Sequence, residues 1–157
     1  MRNIIKAVLA PVLAGLIVFP AAADPGSAIE RTSLGLGYPY ISVRNALTPR
    51  VSVEGRFAFS DEIQIYGARG YYTLRQVERL SLLSGLEVDF VSFKTGSVSG
   101  YGLIAYPFLG GEYRVAERIS LLMDFGPAFI HLKENDFSLT LDGLEWVVNL
   151  GVYYHFR

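Results

Sequence analysis

Arg50-Val51-Ser52-Val53-Glu54-Gly55-Arg56-Phe57-Ala58-Phe59-Ser60 puts Val51, Val53, Gly55, Phe57 and Phe59 on one side of an extended backbone. Arg50, Ser52, Glu54, Arg56, Ala58 and Ser60 fall on the other. A period of two is the signature of a strand with chemically different faces. The same rule recurs outward from this stretch. Leu80 to Phe93 sets Leu80, Leu82, Leu86, Val88 and Phe90 against Ser81, Gly85, Glu87 and Asp89. Arg118 to Ile130 sets Ile119, Leu121, Met123 and Phe125 against Ser120, Asp124, Gly126 and Ala128. The last segment sets Trp146, Val148, Leu150, Val152, Tyr154 and Phe156 against Glu145, Asn149, Gly151, Tyr153 and His155.

Three further segments are less regular: Thr32 to Arg44, Glu62 to Leu74 and Tyr101 to Val115. The first carries Gly35, Gly37 and Pro39, which predict a bend or bulge. The third carries Pro107, Gly110 and Gly111, across which its alternation reads as changing phase. In the second, Arg69 shares parity with Ile63 and Ile65. An arginine facing mid-bilayer lipid costs roughly 2–4 kcal/mol, so a bulge is expected to turn it inward, or else it sits near an interface. The connections fall at 45–49, 60–61, 75–78, 94–96, 116–117 and 133–143, most of them short enough for hairpins. Seven strands are plain. Single-chain bacterial membrane barrels have even counts, so an eighth is expected, from Ala28 to Leu36 splitting off before Tyr38-Pro39 or from Asp136 to Leu141.

The fold class read from this pattern is all-β, a closed antiparallel up-and-down transmembrane barrel of eight strands. A soluble barrel has the same period with its apolar face inward, so the faces need a separate argument. Ten steps from Trp146 to Phe156 at about 3.3 Å give some 33 Å of strand. Tilted by about 40°, that spans near 25 Å, the height of the apolar band of a membrane barrel. Trp146 and the pair Tyr154 and Phe156 then lie at opposite membrane interfaces, where amphipathic rings belong. The other face mixes Gly, Ser and Ala with Glu54, Arg56, Glu87, Asp89, Asp124 and Asn149, which suits a narrow interior filled by side chains. Past residue 23 the chain keeps two lysines, Lys94 and Lys133. The outer surface of a soluble barrel would carry many.

The N-terminus reads as an export signal. Arg2 and Lys6 form a basic start, Ala7 to Phe19 an apolar stretch, and Ala21-Ala22-Ala23 a small-residue cleavage site. Residues 1–23 are therefore expected to be cleaved after Ala23, leaving residues 24–157 as one barrel domain. The apolar stretch is short for a membrane span and is broken by Pro11, Gly15 and Pro20. Fourteen basic residues less Arg2 and Lys6 leave twelve against fifteen acidic ones, a mature net charge of −3. No clustered basic face points to nucleic acid. Cysteine is absent although export leads to an oxidising compartment, so stability must come from something other than disulfides. A closed ladder of backbone hydrogen bonds in a bilayer supplies it.

The ending Asn149-Leu150-Gly151-Val152-Tyr153-Tyr154-His155-Phe156-Arg157 is similar to the C-terminal assembly signal of outer-membrane barrels, with Phe156 penultimate here. The chain from residue 24 onward resembles the small OmpA/OmpX/opacity-type barrel superfamily of Gram-negative cell envelopes. That resemblance implies the bacterial outer membrane as location, its lipid as surroundings, and the barrel assembly machinery as a partner reading the C-terminal strand.

Chemistry is sparse. His131, beside Lys133, Glu134, Asn135 and Asp136, could serve as a general base in a surface lipid-modifying hydrolase. A polar residue near the outer rim is the simpler reading, and His155 is read as an interfacial residue near the chain end. Glu54, Glu87, Asp89, Glu112 and Asp124 could line a cation path, or pair with Arg56 and other inward cations as a plug. Buried charge without a partner is expensive and eight strands leave little lumen, so a plug is expected. The expected interior network is Glu54, Arg56, Glu87, Asp89, Glu112, Asp124 and Asn149. No catalytic constellation, cofactor or metal site is expected. The function expected is structural or surface-interacting, through residues 94–98 and 133–143; a narrow pore, a surface hydrolase and a soluble periplasmic ligand-binding barrel are the alternatives.

Overall fold

The computed structural model describes residues 32–37, 40–96, 98–134 and 140–156. The expected leader at 1–23, the start of the Ala28–Leu36 segment, residues 135–139 and Arg157 lie outside them. Eight antiparallel strands follow one another around a closed ring. They are β1 (Thr32–Gly37), β2 (Tyr40–Ala46), β3 (Val51–Phe59), β4 (Ile63–Val77), β5 (Leu80–Thr95), β6 (Val98–Ala116), β7 (Ile119–Glu134) and β8 (Thr140–Phe156). The ring closes where β1 pairs with β8, Thr32 opposite Phe156 and Gly37 opposite Gly151. Every sheet edge is thereby paired. No helix among the described residues is long and apolar enough to cross a membrane.

The segment from Thr32 to Arg44 is a hairpin rather than one bent strand. Leu36 pairs with Ile41, so the chain reverses direction between them, as a short connection allows. This split supplies the eighth strand. Of the alternative at Asp136–Leu141, residues 136–139 lie outside the described residues, and Thr140 and Leu141 open β8.

Arg69 required no bulge on its N-terminal side. It faces inward in phase with Gly67 and Tyr71, and Ile65 faces inward with it, lining the lumen. The bulge lies after Arg69, between Thr73 and Arg75. It shifts the phase of the strand's last residues, so the stretch resembled a turn, yet β4 runs on to Val77. Nor does β6 change phase. Gly100, Gly102, Tyr106 and Phe108 are all buried at even positions, and the register against β7 is the same at Ala105–Phe129 as at Leu109–Phe125. The apparent change arose because this strand puts apolar aromatics inside.

Side-chain hydroxyls set the turns. Thr48 Oγ1 accepts from the backbone N–H of Val51 at 2.9 Å, and Ser60 Oγ from that of Ile63 at 2.9 Å. Both are hydroxyl turn motifs. Gly96, in the β5–β6 turn, has φ +60°, a region glycine enters without penalty. Glu78 enters the same region at φ 50° as the first residue of the two-residue turn joining Val77 to Leu80. Glu78→Gly is therefore expected to stabilise the barrel by about 1 kcal/mol, the αL penalty of an L-residue. The midpoint of urea unfolding in lipid vesicles reads it, and a lowered midpoint would refute the strain.

Candidate functional site

Strand alternation directs two opposite surfaces. Outward side chains are apolar around the ring: Leu34, Ile41, Val53, Leu86, Leu109, Met123 and Leu150 are all exposed. Trp146 is 75 % exposed and Val148 66 %, values that no water-facing core strand tolerates in series. Aromatic residues collect toward both ends of this band. Tyr154 and Phe156 meet edge to face at 5.2 Å near the chain-end rim. Phe57, Phe59 and Tyr66 form a cluster toward the opposite rim, where Phe90 and Tyr101 also stack.

The inward side chains include a group of charges. Glu54, Arg56, Glu87 and Asp124 are buried, and Asp89, Glu112 and Asn149 are nearly so. The structure joins Glu54, Arg56, Glu87, Glu112, Asp124 and Asn149, through cations that the sequence pattern left unassigned, into one network across the lumen, and Asp89 lines the cavity beside it. Arg69 on β4 is 2 % exposed and Asp124 on β7 0 %; their guanidinium and carboxylate meet at 2.7 Å. Arg69 also reaches Glu87 on β5 at 2.5 Å, and Arg56 on β3 reaches the same carboxylate at 2.6 Å. Arg44 on β2 bridges Glu54 at 3.0 Å and Glu112 on β6 at 2.6 Å.

Hydroxyls and amides complete the shells. Tyr71 donates to Glu54 at 2.7 Å and Tyr153 at 3.0 Å. Asp124 accepts from Tyr106 at 2.8 Å and from Asn149 at 3.1 Å. The guanidinium planes lie on aromatic faces: Arg44 over Tyr153 at 3.8 Å, Arg56 over Tyr40 at 3.4 Å and Arg69 over Phe108 at 4.2 Å. Charges buried this deeply persist only when paired and hydrogen-bonded.

Arg44 and Arg69 are the functional residues that periodicity alone missed. The signal was present in register: across the 60–62 turn, Arg69 lies opposite Glu54, and Arg44 lies opposite the same Glu54 on the other side. Cross-strand opposite charges on one face are a pairing rule for sheets.

The network divides the lumen into two cavities. One, of about 240 Å³, lies toward the chain ends and is lined by polar groups including Ser33, Arg44, Gln76 and His155. His155 is thus not interfacial; it is buried inside the barrel, with Nε2 2.8 Å from Ser120 Oγ. Ser120 also hydrogen-bonds Glu112. Glu112 approaches the same Nε2 at 3.4 Å and gives its other oxygen to Arg44. In a serine–histidine–acid triad the acid holds the imidazole's second nitrogen, so this cluster has the composition of a triad without its arrangement. The other cavity, of about 260 Å³, lies on the far side of the network and is mainly apolar.

His131 stands on the outer face of β7. Its Nδ1 is 2.6 Å from Asp142 across the strand pair, and both side chains are more than half exposed. No group of histidine, cysteine and acidic side chains able to hold a metal ion occurs among the described residues.

No protein-family model matches the chain, and no curated protein matches it. Among solved structures, Neisserial surface protein A is similar, with a TM-score of 0.57 at 13 % identity, over 80 % of this chain and 92 % of that one. The likeness is one of fold: a small closed antiparallel barrel of the outer-membrane kind.

Proposed function

We propose that the chain is an integral protein of the bacterial outer membrane, with a structural or surface-interaction role, a charge-plugged interior and no enzymatic activity. The observation that carries this reading is the inversion of the usual surfaces. The arginines and carboxylates are buried inside while Leu34, Leu86, Leu150 and Trp146 cover the outside, which is stable only where hydrocarbon surrounds the barrel. Outer-membrane lipid is then the partner of the outer face. The exposed Tyr154 and Phe156 of β8 are the features the barrel assembly machinery would read, after removal of the leader at Ala23.

The plug favours a closed barrel over a narrow pore, because Arg44 meets Glu54 at 3.0 Å and Arg69 meets Asp124 at 2.7 Å inside the lumen. Surface interaction would use the strand rims more than long loops. Thr95 pairs with Val98, and residues 133–134 and 140–143 belong to β7 and β8, so strand pairing takes up much of both segments expected to act as surface loops. His131 and Asp142 lie on the outer wall without a nucleophile between them, which favours a rim pair over a hydrolase site.

Gel mobility of the outer-membrane fraction with and without boiling tests the reading, together with planar-bilayer recordings of the purified protein. The expected results are a heat-dependent shift and no single-channel steps. A protein soluble without detergent that runs alike before and after boiling would overturn the membrane reading. Discrete conductance would overturn the plug.

A further inference from the structure

Closure of the ring engages its two edge strands unequally. β1 has 6 residues and β2 has 7, whereas a strand that crosses a bilayer takes about 9–11. The steps from Thr32 to Gly37, at about 3.3 Å each and tilted by about 40°, rise some 13 Å, about half the apolar band. β8 has 17 residues, and β1 pairs with Gly151–Phe156 of them. From Thr140 to Leu150, β8 pairs with β7 alone among the described residues. The wall is therefore notched above the β1–β2 hairpin. Exposure marks the same boundary: on the outward face of β8, Leu150 is 63 % exposed and Val152, which lies beside β1, 46 %. Two short strands at about 4.8 Å spacing leave the notch about 10 Å wide.

The His155 N–H turns toward β7, to the Arg118 carbonyl. By alternation along an antiparallel strand, the backbone groups of Trp146, Val148 and Leu150 turn to the notch. Tyr40, at the start of β2, donates its hydroxyl to the Leu150 carbonyl at 3.5 Å. A sheet edge at membrane depth is tolerated only where it is covered or borders a cavity, and a cavity is there. Tyr40, Val147 and Asn149 all line the space beyond the plug, so notch and cavity share a border. Interiors of outer-membrane barrels are polar, yet this space is walled by Ile65, Ile104, Ile130 and Val147. Its charged lining carries both signs, and the buried groups without partners include donors of Arg56 as well as an oxygen of Asp89. The lining selects no ligand charge; what it offers is the aliphatic wall.

We propose that the notch is a side entrance through which a lipid of the surrounding bilayer lays one acyl chain in the cavity. The inference rests on the membrane reading above. A lipid matches both features of the opening. Its ester oxygens accept from the free N–H groups of Trp146 and Val148, at the level of the interfacial tryptophan, and its chain covers the isoleucine wall while requiring no hydrogen bonds.

Photolabelling tests it on the whole barrel in nanodiscs of dimyristoylphosphatidylcholine, doped with a phosphatidylcholine carrying a diazirine at one chain end. Peptide mass spectrometry is expected to find label on the lumenal Ile104, Ile130 and Val147 as well as on the outward Leu86, Leu109 and Met123. Ala58→Phe on β3 and Ala128→Phe on β7 fill the cavity from two walls. Each should cut the lumenal label at least fivefold and preserve the outward label and the heat-dependent gel shift; two variants keep the test open if one fails to fold. Outward label without lumenal label would overturn the side entrance and leave the membrane reading standing, while absence of both would overturn both. Lumenal label from a diazirine derivative of octanoic acid added from water, but not from the bilayer lipid, would place the entrance at the outer mouth and overturn the proposal. Lumenal label undiminished in both filled variants would do the same.

Discussion

Arg69→Met is expected to destabilise the barrel by about 3–5 kcal/mol, the cost of removing one partner from a buried ion pair. Arg69 is 2 % exposed and serves two carboxylates at once. Without it Glu87 keeps Arg56, but Asp124, wholly buried, loses its cation and retains only the hydroxyl of Tyr106 and the amide of Asn149. A charged carboxylate left with neutral donors in the lumen is what makes the change severe; lost packing is secondary, since methionine fills much of the same space. Equilibrium unfolding by urea in lipid vesicles measures it. Arg69→Met combined with Asp124→Asn should recover part of the loss, because the second change removes the stranded charge, and the two sites must therefore couple. A loss under about 1 kcal/mol for the single variant would show that the network contributes little beyond filling space.

Leu150→Arg is expected to cost roughly 2–4 kcal/mol, against 0–1 kcal/mol for Tyr154→Arg four residues along the same face of β8. Both side chains point outward and both are substantially exposed, Leu150 at 63 % and Tyr154 at 40 %. In water neither change would matter much, and the more exposed position would be the more forgiving. In a bilayer the order reverses, because Leu150 lies between the aromatic ends of the strand and Tyr154 lies among them. The same vesicle unfolding measurement, with the two variants side by side, reads the difference. Equal effects would contradict a hydrocarbon layer around the barrel, whatever their size.

Where faces differ sharply in polarity, as in β3, β5, β7 and β8, the period of two was enough to fix strand, phase and facing. Three places resisted for physical reasons. Tyr106 and Phe108 are apolar residues facing a polar interior, stacked at 5.6 Å inside the barrel, so polarity gave the wrong phase on β6. Ile65 faces inward beside Arg69 because the cavity on the far side of the network is apolar, which made a correctly phased arginine look misplaced. The bulge at Thr73 to Arg75 moved the last turns of β4 out of step, and periodicity has no means to register an inserted residue. Of the network, the acids were legible as polar residues on apolar-faced strands. Arg44 lay in the irregular first segment and Arg69 in the irregular second, so the two cations that hold the centre were hidden by the strands least regular in sequence. Pairing across the lumen was not legible at all, since it joins β2 to β6 and β4 to β7, strands that never touch in the sheet.

Glu54 takes one hydroxyl from Tyr71, 17 residues away, and another from Tyr153, 99 residues away. The first can arrive as soon as β3 and β4 form a hairpin. The second waits for the final strand. Asp124 likewise receives Asn149 only with β8. An unclosed sheet therefore carries half-solvated carboxylates into the membrane, and each strand added before the last leaves that debt outstanding. Insertion and closure are coupled by electrostatics into a single event: partial barrels are penalised until the C-terminal strand docks, and the finished one opens only by undoing all of it together. Contacts of such sequence separation make for slow folding, and here the same separation enforces an all-or-none transition.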